Sequence, residues 1–278
     1  MMGFRSALAV CIAVSVLALA GSGAATKAGA APAPAGAVDV APHRALYKLS
    51  LGQAKPNSGV TGADGTMAYE WGESCDGWTV QQHYRLRMHY EEEADVEMVS
   101  NFVGFESKDG LRYRFDERKL KNGAVDEEIR GEAKLDGIGK GGKVTFTRPK
   151  PQIMELAPGV IFPTAHTLLL IARAKEGNNF VTAKVLDGAE AENAVDVSAV
   201  IGKPHAGSVS VKSPLLERPS WRVRLAFFPA DVKLEKPDYE LSEQLYDNGI
   251  SADMGLDYGD FLIKGVLDKL ESLTKPAC

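Results

Sequence analysis

In Trp78-Thr-Val-Gln-Gln-His-Tyr-Arg-Leu-Arg-Met-His-Tyr90, apolar and polar side chains alternate over thirteen residues. Trp78, Val80, Tyr84, Leu86, Met88 and Tyr90 share one parity, and Thr79, Gln81, His83, Arg85, Arg87 and His89 share the other. A period of two over that length describes a long β-strand with one face on a core and one in water. The same alternation recurs upstream in Ala45, Tyr47, Leu49, Leu51 and in Met67, Tyr69, Trp71. Downstream it recurs in Leu111, Tyr113, Phe115; in Ile129, Ala133, Leu135; and in Val195, Val197, Ala199, Ile201. Trp221, Val223, Leu225, Phe227 and Ile250, Ala252, Met254, Leu256, Tyr258 complete the series.

Between these runs stand Asp64-Gly65, Asp109-Gly110, Asn122-Gly123, Asp136-Gly137 and Asn248-Gly249, dipeptides that tolerate the positive φ of hairpin turns. Strands joined in succession by tight turns make an antiparallel meander, and the expected architecture is mainly β, a long, strongly curved antiparallel sheet. One helix interrupts it. Pro163-Thr164 signals its start and Gly177 its end, and Leu168, Ile171 and Ala172, widened by Leu169 and Leu170, give it an apolar stripe that would plug the concavity. Val266 to Leu273 reads equally as a short helix or a strand leading to Cys278.

The amino terminus reads as an export signal, with Arg5 as the charged region and Ala7–Ala20 as the apolar region. The run yields to Gly21-Ser-Gly23 before reaching the length of about 20 residues that a spanning helix needs. Small residues at Ala18 and Ala20, Gly23 and Ala25, or Ala28 and Ala30 each offer a cleavage site. Cys11 loosely imitates a lipoprotein signal, with too short an apolar run before it. The expected organisation is a signal peptide over 1–25, a flexible Ala/Pro-rich leader over 26–40, and one domain over 41–278 with no dividing linker.

Loss of Arg5 leaves 31 basic against 37 acidic residues, a net charge of −6. With bases interleaved among acids, no basic face forms, which speaks against a nucleic-acid partner. Loss of Cys11 leaves two thiols, Cys75 and Cys278, which an oxidising compartment would pair, with free thiols or an intermolecular link as the alternatives. The loop-entropy model values closure of so long a loop at about 5 kcal/mol at most. Cys75 has no Cys-x-x-Cys partner for redox chemistry.

No nucleophile elbow, zinc signature, P-loop or kinase signature is present. Gly137-Ile-Gly-Lys-Gly-Gly142 precedes a strand and reads as a hairpin. His83 and His89 lie about 20 Å apart along one strand face and cannot share a metal, and His43, His166 and His205 are scattered, so neither a metal nor a cofactor is expected. Asp257-Tyr-Gly-Asp260 could supply an acid and a base, but reads more simply as a bend whose carboxylates hold backbone amides. Glu91-Glu-Glu93 and Asp126-Glu-Glu128 read as solvated turns or strand edges that could dock a basic partner. Trp71, Trp78, Tyr84, Met88 and Trp221 are core residues by default and candidates for lining an apolar concavity that could take a lipid or acyl ligand.

Several segments together carry a family resemblance. They are Pro42-His-Arg-Ala-Leu-Tyr47, Gly59-Val-Thr-Gly62 leading to Met67-Ala-Tyr-Glu70, Cys75 with Gly77, and Ile129-Arg-Gly-Glu-Ala-Lys-Leu135. Phe162-Pro-Thr164 and Tyr246-Asp-Asn-Gly-Ile250 running into Asp257-Tyr-Gly-Asp-Phe261 complete the set. From about Ala41 to Cys278 the chain resembles the EipB family, periplasmic cell-envelope integrity proteins of alphaproteobacteria. The resemblance implies a β-spiral wound around one central helix, similar in architecture to the lipoprotein carriers LolA and LolB. It also implies a disulfide from an early strand to the carboxyl terminus, here Cys75 and Cys278, and a role in the envelope without an established catalytic activity. The Ala/Pro-rich leader and Lys203–Pro219 depart from the family pattern. Three functions follow as expectations: a non-enzymatic periplasmic binder of an apolar ligand, a scaffold for envelope proteins, or an envelope hydrolase using Asp257 and Asp260.

Overall fold

In the computed structural model, residues 38–205, 211–229 and 236–278 are described; the expected signal peptide and most of the leader lie outside them. The first half of the described chain is β1 (His43–Ala54), β2 (Val60–Glu73), β3 (Gly77–Tyr90), β4 (Val96–Ser107), β5 (Arg112–Lys121), β6 (Ala124–Leu135), β7 (Gly142–Arg148) and β8 (Gln152–Leu156). The second half is β9 (Val160–Ile161), α1 (Pro163–Lys175), β10 (Phe180–Val185), β11 (Val195–His205), β12 (Ser220–Phe228), β13 (Tyr239–Tyr246), β14 (Ser251–Asp257) and β15 (Phe261–Ser272).

All of these strands join one sheet in the order β8-β7-β6-β5-β4-β3-β2-β1-β15-β14-β13-β12-β11-β10-β9. The first and last strands therefore meet in the middle, where β1 pairs with β15, while the two sheet edges, β8 and β9, are joined by Ala157-Pro158-Gly159. Laid flat, such a sheet would be about 70 Å wide, whereas the link reaches about 14 Å at most. The sheet must curl until its edges nearly meet. The result is a nearly closed wall with inward residues at alternate positions: Tyr113, Phe115 and Glu117 on β5, and Val223, Leu225 and Phe227 on β12.

The helix α1 lies against the inner face of β10 to β13. Pro163 opens it and no side chain of Phe162 caps it; both carboxylate oxygens of Glu106 on β4 do so instead, accepting from the Thr164 and Ala165 backbone N–H groups at 2.7 and 2.9 Å. It ends as a Schellman motif, with Gly177 at φ 80° donating to Ala174 O and Asn178 donating to Arg173 O. Leu170 and Ile171 pack on Val197, Ala199, Val223 and Leu225. No helix among the described residues is long and apolar enough to cross a membrane.

The Cys75 and Cys278 sulfurs are bonded, with Cα atoms 5.6 Å apart across a sequence separation of 203. Cys75 sits in the turn from β2 to β3, and the tail beyond β15 is also held by Leu273 N–H donating to Pro42 O and by a Lys275–Asp39 ion pair.

Two local expectations change and one open reading is decided. Asp64-Gly65 does not turn the chain but runs inside β2, because a Cβ at Gly65 would come within 2.2 Å of the Arg85 carbonyl on β3: the glycine permits close strand approach. The meander is not wholly antiparallel, since β9 pairs with β10 in parallel. Val266–Leu273 falls largely in β15, a strand, since Ile263, Gly265 and Leu267 point inward at a period of two. Upstream, Val40 is already buried, packing with Trp71 on β2 and Leu168 on α1.

Candidate functional site

Inside the wall, between β2 to β5 and the start of α1, lies a cavity of about 260 Å³. Its apolar surface comes from alternate positions of consecutive strands: Tyr69 and Trp71 on β2, Trp78 and Val80 on β3, Phe102 on β4 and Tyr113 on β5. The cavity's polar groups are acids, one amide and hydroxyls. Glu106, Glu117 and Asp187 reach it, together with Gln82, Thr164 and Thr167, and no basic side chain lines it.

Burial dominates the electrostatics. Glu106 is 2% exposed, and loss of water pushes its carboxyl up to about 7 even though two backbone N–H donors of α1 favour the charged form. Glu117 is 6% exposed and likewise pushed up to about 7 by desolvation, opposed by Lys119 and by the Ser100 hydroxyl, which donates to its Oε1 at 2.7 Å. Its Oε2 is buried with no hydrogen-bond partner. Burial also raises Asp187, whose Oδ1 accepts from Ala189 N–H at 3.0 Å. Lys119, two residues beyond Glu117 on the same face, spends its three protons on Glu127, Glu190 and Ala189 O at 3.0, 2.7 and 2.7 Å.

The residues singled out in the sequence separate into two groups. Trp71 and Trp78 line the cavity. Tyr84 faces inward further along β3, half-buried against the core around β1 and β15, and Met88, fully buried, fills that core. Trp221 packs into the apolar layer beneath α1. The Asp257 carboxylate accepts from Gly259 N–H at 2.8 Å, stabilising the hairpin bend, and Asp260 lies in an exposed ion pair with Lys55. Among the described residues, no group of three His, Cys, Asp or Glu side chains is arranged to hold a metal ion. His89 hydrogen-bonds Asp64 and Asp95, and His83 bonds Asn101, both on the outer face. The acidic run at Asp126–Glu128 is not wholly solvated, because Glu127 turns inward to Lys119. Glu106, Glu117 and Asp187 were not singled out from the sequence. Phe102-x-Gly104-x-Glu106 and Tyr113-x-Phe115-x-Glu117 carry the signal for two of them: a carboxylate in register with an inward apolar row.

Comparison with known proteins gives a consistent result. The family model described as EipB-like matches residues 34–274. The cell envelope integrity protein EipB of Brucella abortus (strain 2308) is 35% identical over 243 residues, covering 84% of this chain and 85% of its own length. A crystal structure from Brucella abortus, described as a β-barrel-like protein with a domain of unknown function, superposes with a TM-score of 0.80 at 33% identity. That similarity covers 86% of this chain and all of the solved one.

Proposed function

The chain belongs to the EipB-like family, and on that premise we propose that it supports cell-envelope integrity as a non-enzymatic periplasmic protein that binds part of an amphiphilic ligand in the cavity between β2–β5 and α1. The observation that carries this reading is the cavity: aromatic on most of its wall, closed on one side by a capped helix, with a few convergent polar groups. At about 260 Å³ it is smaller than the roughly 300–1,000 Å³ of ordinary small-molecule sites, which suits one end of an amphiphile better than a whole lipid. The disulfide is in keeping with an oxidising compartment. A non-catalytic role is supported by the duties of Asp257 and Asp260 as a bend and an exposed ion pair. Native mass spectrometry of protein released gently from the envelope tests the reading, with a co-purifying adduct expected. Protein that is repeatedly ligand-free, with no rise in melting temperature on adding ten-carbon amphiphiles, would overturn it.

A second reading, a scaffold for envelope proteins, draws on the outer face. There Val103, 50% exposed, and Phe105 lie in a broad groove with Arg114, Arg130, Lys134 and Lys143. Crosslinking that returns the same protein partner from wild type and from a variant with a filled cavity would favour it.

A further inference from the structure

We propose that the cavity recognises an organic ammonium group, so that the amphiphile it takes is cationic at the end it inserts. This rests on the cavity being a ligand site and specifies its chemistry. The first ground is an imbalance of charge: Glu106, Glu117 and Asp187 converge on the cavity and no lysine, arginine or histidine lines it. Lys119, two residues from Glu117 on β5, has its three protons committed to Glu127, Glu190 and a backbone carbonyl, and Lys108, beside Trp78, is paired with Glu73. Above pH 7, where both glutamates are ionised, an anionic head would meet carboxylates in a poorly solvated space, an arrangement that repels it.

The second ground is an unmet acceptor. Glu106 is occupied by α1 and Glu117 Oε1 by Ser100, but Glu117 Oε2 is buried without a partner. Leaving such an oxygen unpaired forfeits its hydration without return, the more so for a charged group, and a cation arriving there recovers that loss. The third ground is the rest of the wall. Tyr69, Trp71, Trp78, Phe102 and Tyr113 present ring faces and edges around the acids, the composition with which proteins surround alkylammonium ions. Trp78 already makes one contact of this kind: the Lys108 ammonium lies 5.8 Å from its ring centroid while paired with Glu73. A metal ion is the other way to neutralise carboxylates, but among the described residues no three are arranged to ligate one.

Isothermal titration at pH 8, where both glutamates are ionised, with three ten-carbon probes below their micellar concentrations separates the possibilities: decyltrimethylammonium, decyl glucoside and decanoate. The expected result is binding of decyltrimethylammonium at least tenfold tighter than either other probe, with a change in tryptophan fluorescence. In a Glu117→Gln protein with unchanged far-UV circular dichroism, that preference should fall about tenfold while decyl glucoside binding stays within twofold. Equal binding of all three probes to the wild-type protein overturns the ammonium assignment and leaves the apolar site standing. Binding of none overturns both. Because the wild-type comparison needs no variant, a Glu117→Gln chain that failed to fold would not shield the proposal.

Discussion

The inner wall is built twice by the same rule and ends in two different surfaces. On β10 to β13 the inward positions Val181, Val185, Val197, Ala199, Ile201, Trp221, Val223, Leu225 and Leu245 pack with Leu170 and Ile171 of α1 into one apolar layer. On β2 to β5 the same alternation admits Gln82, Glu106 and Glu117 into the row, and α1 meets it only with its first two turns, through Thr164, Thr167 and Leu168. Dispersion and loss of apolar surface hold the first wall, which close packing makes intolerant of deletion. The second wall keeps desolvated carboxylates that weaken it and leaves a cavity open beside them. On the function proposed above, a binding surface is a sheet face on which a few inward positions have been given to charge.

Cutting the Cys75–Cys278 bond, which fastens the tail beyond β15 to the cavity-bearing half, should have the largest effect. Cys75→Ala is expected to lower stability by up to about 5 kcal/mol, read as a fall in the urea midpoint, with a matching fall on reduction of the wild type. An unchanged midpoint would mean that the two walls hold together without it. On the dry wall, Ile171→Ala should cost about 2–5 kcal/mol in chemical denaturation, since Ile171 is fully buried in that layer, and should leave the probe preference of the folded protein intact.

The wet wall should show itself through pH. Glu106 and Glu117 hold their protons up to about pH 7 in the folded chain but release them near 4.5 when unfolded, so between those values the folded state binds more protons. Their contribution to stability is therefore largest in acid and is lost as pH rises through 7. His166, buried and lowered to about 4, works the opposite way, losing stability as pH falls below 6.5. The difference between Glu117→Gln and wild type isolates one group. The variant is expected to gain about 1–3 kcal/mol at pH 8 and little at pH 4, measured by urea titration at both. A flat difference would place Glu117 in water. Smallest of all, Asp196→Asn removes an exposed pair with Lys184 on the outer face and should move stability by less than about 1 kcal/mol.

The alternation at Trp78–Tyr90 assigned the residues of β3 to their faces except Gly77 and Gln82, the latter a polar side chain on the inward parity, and Pro163 and Gly177 bounded α1 to within two residues. These features were legible because they depend on neighbours in sequence. Gly65 was misread because the atom that requires it, the Arg85 carbonyl, belongs to another strand. The division of the aromatic residues failed to emerge for the same reason: Trp71 and Trp221 have the same local pattern, and only the position of α1 covers one and opens space beside the other. Glu106 looked like one more strand carboxylate, and its role as a helix cap depends on a turn 58 residues away.

The meeting of β1 with β15 at mid-sheet has a consequence for how the molecule comes to be. Numbered from β9, the strands follow one another in space without a jump, through β15 to β1 and on to β8. The natural chain is thus a circular permutation of a simple meander, opened at its centre. Every other antiparallel pairing forms between sequence neighbours, but the seam waits until β15 has been synthesised, and until then β1 presents a bare edge of the kind that pairs with strangers. A permutant joined at the natural termini and opened within Ala157–Gly159 would exchange that late pairing for a local one and should refold faster.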